Sequence, residues 1–168
     1  MYKIGNTVMY GTTGVCRIEE ITECEFGGVK KSYYILKPLF QDGAKMYIPK
    51  DNEKLVSKMR KVLSADEVKE LIYHQAESDV QWIDKDNERK QLYSQVLDKG
   101  DRGQMIALIK TVLKHQSEQV SQGKKLHICD ENFLTRAQRI LYDEFSMVLH
   151  IKREDVLPMI MGETEIPV

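Results

Sequence analysis

The chain is 168 residues long, 42% hydrophobic and 30% charged, which suits one ordinary folded domain or two small ones and excludes a disordered chain. No apolar run approaches the roughly 20 residues that span a bilayer, and Met1-Tyr2-Lys3 leads straight into polar sequence, so neither a membrane-spanning nor a conventionally secreted protein is expected. The net charge of −1 is unevenly spread: residues 1–63 hold 11 Lys/Arg against 7 Asp/Glu, and residues 64–168 hold the other 14 against 19.

Residues 1–63 read as strands and turns. Thr7-Val8-Met9-Tyr10 is a short strand candidate stopped by Gly11-Thr12-Thr13-Gly14, and Val15 to Ile21 alternates as a half-buried strand does. Gly27-Gly28 can both adopt positive φ, a hairpin signal between that strand and Ser32-Tyr33-Tyr34-Ile35-Leu36. Lys45 to Ile48 is a further strand, closed by Pro49 and by Asp51-Asn52. Four or five short strands in this span predict a small antiparallel barrel or curled sheet.

From Ser64 the period changes to that of helices. Ser64-Ala65-Asp66-Glu67 is a capping box, after which Val68, Leu71, Ile72 and Ala76 fall on one face. A second helix is predicted from Asp84 to Leu97, ended at Lys99-Gly100 where glycine suits the left-handed cap. Asp101 can cap a third, with Met105, Ile106, Ile109, Val112 and Leu113 as its stripe. Ser121 to Lys125 reads as a loop. A fourth helix begins near Asp130 and carries Phe133, Leu134, Ala137, Ile140, Leu141, Phe145 and Val148. A short turn over Asp155 to Met161 is limited by Pro158. The expected class is α+β: a β-rich module over 1–63 followed by an all-helical domain over 64–168.

Catalytic and metal constellations are not found. Gly11-Thr12-Thr13-Gly14 lacks the lysine and Ser/Thr of a phosphate-binding loop, and Asp84-Lys85-Asp86-Asn87 has Arg89 where a calcium loop needs glycine. His127 and Cys129 have no second pair at zinc-finger spacing. No enzyme, cofactor, metal or small-molecule substrate is therefore expected. Cys16, Cys24 and Cys129 are too few and too scattered for a disulfide framework, so a reducing cytoplasm is expected.

Trp82, the only tryptophan, sits at the polar junction between the first two helices. Two readings stand: the ring packs the corner between helices, or it meets a partner or a base step. Arg89 and Lys90 lie about two turns further on, and a tryptophan beside cations suits a wedge-and-phosphate contact.

At this point the sequence resembles the CarD/CdnL family of bacterial transcription regulators over roughly residues 1–150. The N-terminal motifs are Tyr2 to Tyr10 followed by Gly14-Val15, Tyr33-Tyr34-Ile35-Leu36 and Met46-Tyr47-Ile48-Pro49. This block is shared with the RNA-polymerase-interacting module of the transcription-repair coupling factor. The helical half resembles the family in Trp82, Gly100-Asp101 and the run Leu134 to Leu141. The resemblance implies a Tudor-like barrel that docks on the β subunit of RNA polymerase, with Cys24, Phe26 and Tyr47 at the matching positions. Some members carry arginines where Cys24 and Tyr47 stand, so this contact would be less charged.

It also implies that Trp82 wedges into the minor groove at the upstream edge of the promoter bubble. Arg89 matches a basic family residue, with Lys90 beside it. The candidate basic face is Arg89, Lys90, Lys124, Lys125, Arg136 and Arg139, the last four of which also read as ordinary solvated surface. The acidic balance of 64–168 predicts weak DNA binding that depends on tethering by polymerase. It also leaves open a protein adaptor on polymerase with no DNA contact, a reading to which Glu131 contributes, since a lysine sits there in some relatives.

Overall fold

The computed structural model describes residues 2–76 and 81–167, apart from the Ala76 side chain. The expected placement of Ala76 on an apolar face, and the Ser78–Val80 part of the junction before Trp82, lie outside the described residues. The chain forms two compact units, Met1–Val62 and Leu63–Val168.

The first unit is a five-stranded antiparallel sheet of order β4-β3-β2-β1-β5. Its strands are β1 (Thr7–Tyr10), β2 (Gly14–Phe26), β3 (Val29–Pro38), β4 (Met46–Pro49) and β5 (Met59–Lys61), with a one-turn helix α1 (Glu53–Val56) before the last. Gly27 and Gly28 turn the β2–β3 hairpin with φ of 61° and 78°, values open to glycine at little steric cost. That tight turn extends β2 five residues beyond the alternating pattern, pairing Thr22 to Phe26 with Tyr33 to Val29. Val8, Cys16, Ile18, Tyr34, Leu36, Ile48 and Met59 form its core.

One irregularity decides which side chains share a face. The β2–β3 register shifts between Ile18 and Glu20. A bulge of one residue reverses the parity of everything after it. Cys16 and Ile18 thus lie in the core while, beyond the bulge, Ile21 pairs with core Tyr34. Cys24 and Phe26 fall on the opposite face, with Tyr33. Neither β5 nor α1 follows a period. Asn52 caps α1 by accepting from the Leu55 N–H at 3.1 Å, and half-buried Leu55 and Val56 pack on the core.

The second unit holds α2 (Ala65–Ala76), α3 (Asp86–Lys99), α4 (Arg102–Ser121) and α5 (Ile128–Leu149), then a 3-10 turn (Arg153–Asp155) and α6 (Val156–Ile160). The capping box forms as read: Ser64 Oγ accepts from the Glu67 N–H at 3.2 Å and Glu67 accepts from the Ser64 N–H at 2.6 Å. Gly100 closes α3 at φ 64°, and Asp101 caps α4 by accepting from the Gln104 N–H at 3.0 Å. The fourth helix starts at Ile128, ahead of Asp130, because the His127 side chain supplies the cap. Met105, Ile106, Ile109 and Val112 of α4 are buried, as are Phe133, Leu134, Ala137, Ile140, Leu141 and Phe145 of α5; Leu113 and Val148 are half-buried.

Buried polar groups tie these helices together. Glu144, fully buried on α5, accepts from Arg102 at 2.8 and 3.0 Å and from the Leu63 N–H at 3.1 Å. A Cβ at Gly103 would lie 2.9 Å from the amide nitrogen at the end of the Gln75 side chain, which would have to move aside. Among the described residues, no helix is long and apolar enough to cross a membrane.

Candidate functional site

Two groups of side chains, one in each unit, bring together residues that the sequence singled out. On the sheet, Phe26, Tyr33 and Tyr47 come from β2, β3 and β4 and meet edge-to-face, with ring centres 5.5, 5.8 and 6.4 Å apart. Tyr33 is buried beneath the other two, while Phe26 stays 55% and Tyr47 45% exposed. Two large rings left in water on one face, beside the edge strand β4, form a surface that an apolar partner can cover. Cys24 is half-buried on this face, opposite Lys31, and Lys31 pairs with Asp51 at 2.7 Å. The pair is exposed and worth little to stability.

In the helical unit, Trp82 is half-buried and stacked on His115, with ring centres 3.5 Å apart and planes 7° from parallel. The Arg89 guanidinium lies 4.2 Å from the centre of the same indole. Two groups so close to one centre would overlap if they shared a face, so imidazole and guanidinium cover opposite faces and leave the indole its edge.

Arg89 is only 3% exposed, and each of its N–H groups has an acceptor. Nε and Nη2 grip Asp130 bidentately at 2.8 and 2.9 Å, and Asp130 is itself buried. Nη2 also donates to Asp86 at 2.7 Å, and Nη1 donates to the carbonyls of Ile83 at 2.6 Å and Asp84 at 3.4 Å. By taking those two carbonyls, the guanidinium holds the approach to α3, which begins at Asp86 where the sequence pattern placed it at Asp84. Arg89 in turn keeps the Asp86 carboxyl below its ordinary range. Burial and the charge of Asp130 push the neighbouring Tyr93 hydroxyl up to about 12.

The sheet geometry agrees with what a comparison of families finds. Residues 2–63 match the CarD-like/TRCF RID domain. Among curated proteins none matches the chain. The RID match coincides with the sheet unit and accords with the resemblance carried by Tyr2 to Tyr10 and Met46 to Pro49.

Cys24, Phe26 and Tyr47 share one face of the sheet, and the structure adds Tyr33 to them. The signal for Tyr33 was available, because the Gly27-Gly28 turn fixes Thr22 opposite it. The cations of the helical unit are less united. Trp82, Arg89 and Lys125 line one open depression of about 250 Å³, together with Asp84, His115 and His127. Lys90, Lys124, Arg136 and Arg139 are not among its lining residues. Lys124, Lys125 and Arg136 are exposed, and Lys90 and Arg139 are half-buried. Arg89 does not present its charge outward as the sequence predicts: burial and full hydrogen bonding turn it inward. His115 and Asp130, which complete the clasp on Trp82, carry no local sequence signal for that role.

Proposed function

We propose that this chain is a bacterial transcription regulator that acts in the cytoplasm, docks its RID domain on the RNA polymerase β subunit and stabilises the open promoter complex through Trp82. The observation that carries the reading is the Phe26–Tyr33–Tyr47 cluster, with Phe26 and Tyr47 half exposed beside the edge strand β4 within the RID match. An extended strand of the partner can pair with that edge, main-chain hydrogen bonds giving affinity and the aromatic rings receiving alternate side chains. Half-exposed aromatics of this kind are common energetic anchors of interfaces. Cys24 borders the cluster, so the contact is mainly apolar and changes little with salt.

The DNA contact is weak and borrowed. With 14 Lys/Arg against 19 Asp/Glu over residues 64–168, the helical unit does not gather phosphates by itself. Tethering to polymerase supplies an effective concentration that can reach the millimolar range, at which a weak contact acts. Trp82 then props the minor groove at the upstream edge of the bubble, while Lys90, Lys124, Lys125 and Arg136, with half-buried Arg139, are the cations assigned to backbone phosphates. Arg89 acts through Trp82. Unstacking a base step costs a few kcal/mol, so a side chain favouring the melted state shifts its lifetime appreciably. Groove shape and phosphates carry no base code, so promoters of different sequence respond alike. The test is the lifetime of an open complex of the cognate polymerase, with wild type and with Trp82→Ala. Wild type lengthens it; the alanine variant binds polymerase and loses the effect.

The inward-turned Arg89 and the acidic helical unit favour one other reading, a protein adaptor on polymerase that never meets DNA. A salt-sensitive extension of the footprint upstream of the bubble excludes it. Equal lifetimes with and without the protein, at full polymerase occupancy, establish it.

A further inference from the structure

We infer that His115 is the positioning residue for Trp82, holding the indole against Arg89 so that the ring meets DNA by its edge and does not stack on a base. The inference rests on the reading that Trp82 touches promoter DNA, and it specifies how.

A ring that stacks on an unpaired base must offer a free π-face. Trp82 offers none, since imidazole lies over one face at 3.5 Å and guanidinium over the other at 4.2 Å. The two covers are not equally firm. Arg89 is locked by its bidentate grip on buried Asp130 and by its bonds to Asp86, Ile83 and Asp84, in a site where removing Asp130 leaves a buried charge without its main partner. His115 is held by α4, with Thr111 and Val112 buried one turn before it, and Glu118 is its nearest carboxylate among the described residues, 4.0 Å away. The imidazole is therefore the cover whose removal frees a face, and its presence sets the plane of the ring.

The surrounding charge points the same way. Asp84, Asp86 and Asp130 stand against Arg89 and Lys125 around the depression, so a phosphate gains little by entering it. What remains to project from this place is the indole edge. A ring already immobilised loses little freedom when DNA arrives, so its contact is spent on favouring the melted state.

The test compares wild type with His115→Ala, His115→Phe and Trp82→Ala, each as the full chain with cognate polymerase and promoter DNA. Open-complex lifetime is measured alongside acrylamide quenching of Trp82 fluorescence in the free proteins. His115→Ala opens Trp82 to the quencher and loses roughly twofold to tenfold of the lifetime gain, the factor carried by one aromatic pair. His115→Phe, which keeps a stacking ring, restores both. If His115→Ala exposes Trp82 and the lifetime is unchanged or longer, a free face serves DNA better and the inference is overturned. Quenching that is the same in wild type and His115→Ala overturns it as well. If Trp82→Ala alone keeps the full lifetime, the DNA reading itself has failed and the inference falls with it, an outcome told apart by that one variant.

Discussion

Replacing Asp130 by alanine leaves the Arg89 guanidinium 3% exposed and without its bidentate acceptor. Two charge-assisted hydrogen bonds are lost, and breaking a buried pair from one side costs about 3–5 kcal/mol because the other charge is stranded. Asp86 still faces Nη2 at 2.7 Å, and two carbonyls remain, which places the expected cost near the lower bound, about 3 kcal/mol. That is a large share of the roughly 5–15 kcal/mol that holds a domain folded. Urea unfolding followed by Trp82 fluorescence reads it directly, because Trp82 is the only tryptophan and lies in the helical unit. Asp130→Asn keeps one acceptor and costs less. A double change, Arg89→Met with Asp130→Leu, removes both charges and returns stability close to wild type. A loss under about 1 kcal/mol for Asp130→Ala, the range of exposed ion pairs, would refute the claim that this pair is dry and organises the site.

Three further predictions follow from single groups. Burial pushes the Cys16 thiol up to about 11 and leaves it inaccessible, so at pH 8 a thiol reagent should modify Cys24 and Cys129 and reach Cys16 only in denaturant; three fast-reacting thiols in the native protein would contradict the sheet core. The Asp86 carboxyl is held down by Arg89, so its contribution to stability is present above the ordinary value of 3.8 and disappears as pH falls through the lowered one. The stability gap between wild type and Asp86→Asn should accordingly be constant near neutrality and close in acid, and a gap that widens in acid would reverse the assignment. Gly100→Ala forces a side chain into the left-handed cap of α3 at φ 64° and should destabilise the helical unit by about 1–2 kcal/mol in the same urea assay; a gain in stability would rule out that cap.

What could be read in the sequence was local. Ser64 with Glu67, the Gly27-Gly28 turn, Gly100 and the Asp101 cap all act within a few residues, and each formed where the pattern placed it. The resemblance in the first 63 residues is carried by short contiguous motifs and was legible for that reason. The β2 bulge was not read, because its one-residue break in the alternation, between Ile18 and Ile21, sits in a run short enough to pass as one regular half-buried strand. Strand β5 is three residues long and gains its identity only by pairing with β1. The two contacts that complete the clasp are tertiary: Arg89 meets Asp130 from 41 residues away, and His115 reads in sequence as one more histidine on a helix. A cation beside a tryptophan predicted an outward charge. Only the packed structure reveals that its carboxylate partner lies on α5, turning the same residue into a support for the ring.

The most direct test of the central claim is binding of the full chain to the cognate RNA polymerase, wild type against Phe26→Ala and Tyr47→Ala, with circular dichroism confirming that the sheet is retained. Both side chains are about half exposed, so their removal leaves the fold intact. Removing an aromatic anchor at an interface commonly costs 2 kcal/mol or more, so each variant should bind roughly thirtyfold or more weakly, with the salt dependence little changed. Unaltered affinity for both variants would contradict the account, since the polymerase would then be held by some other surface of the chain.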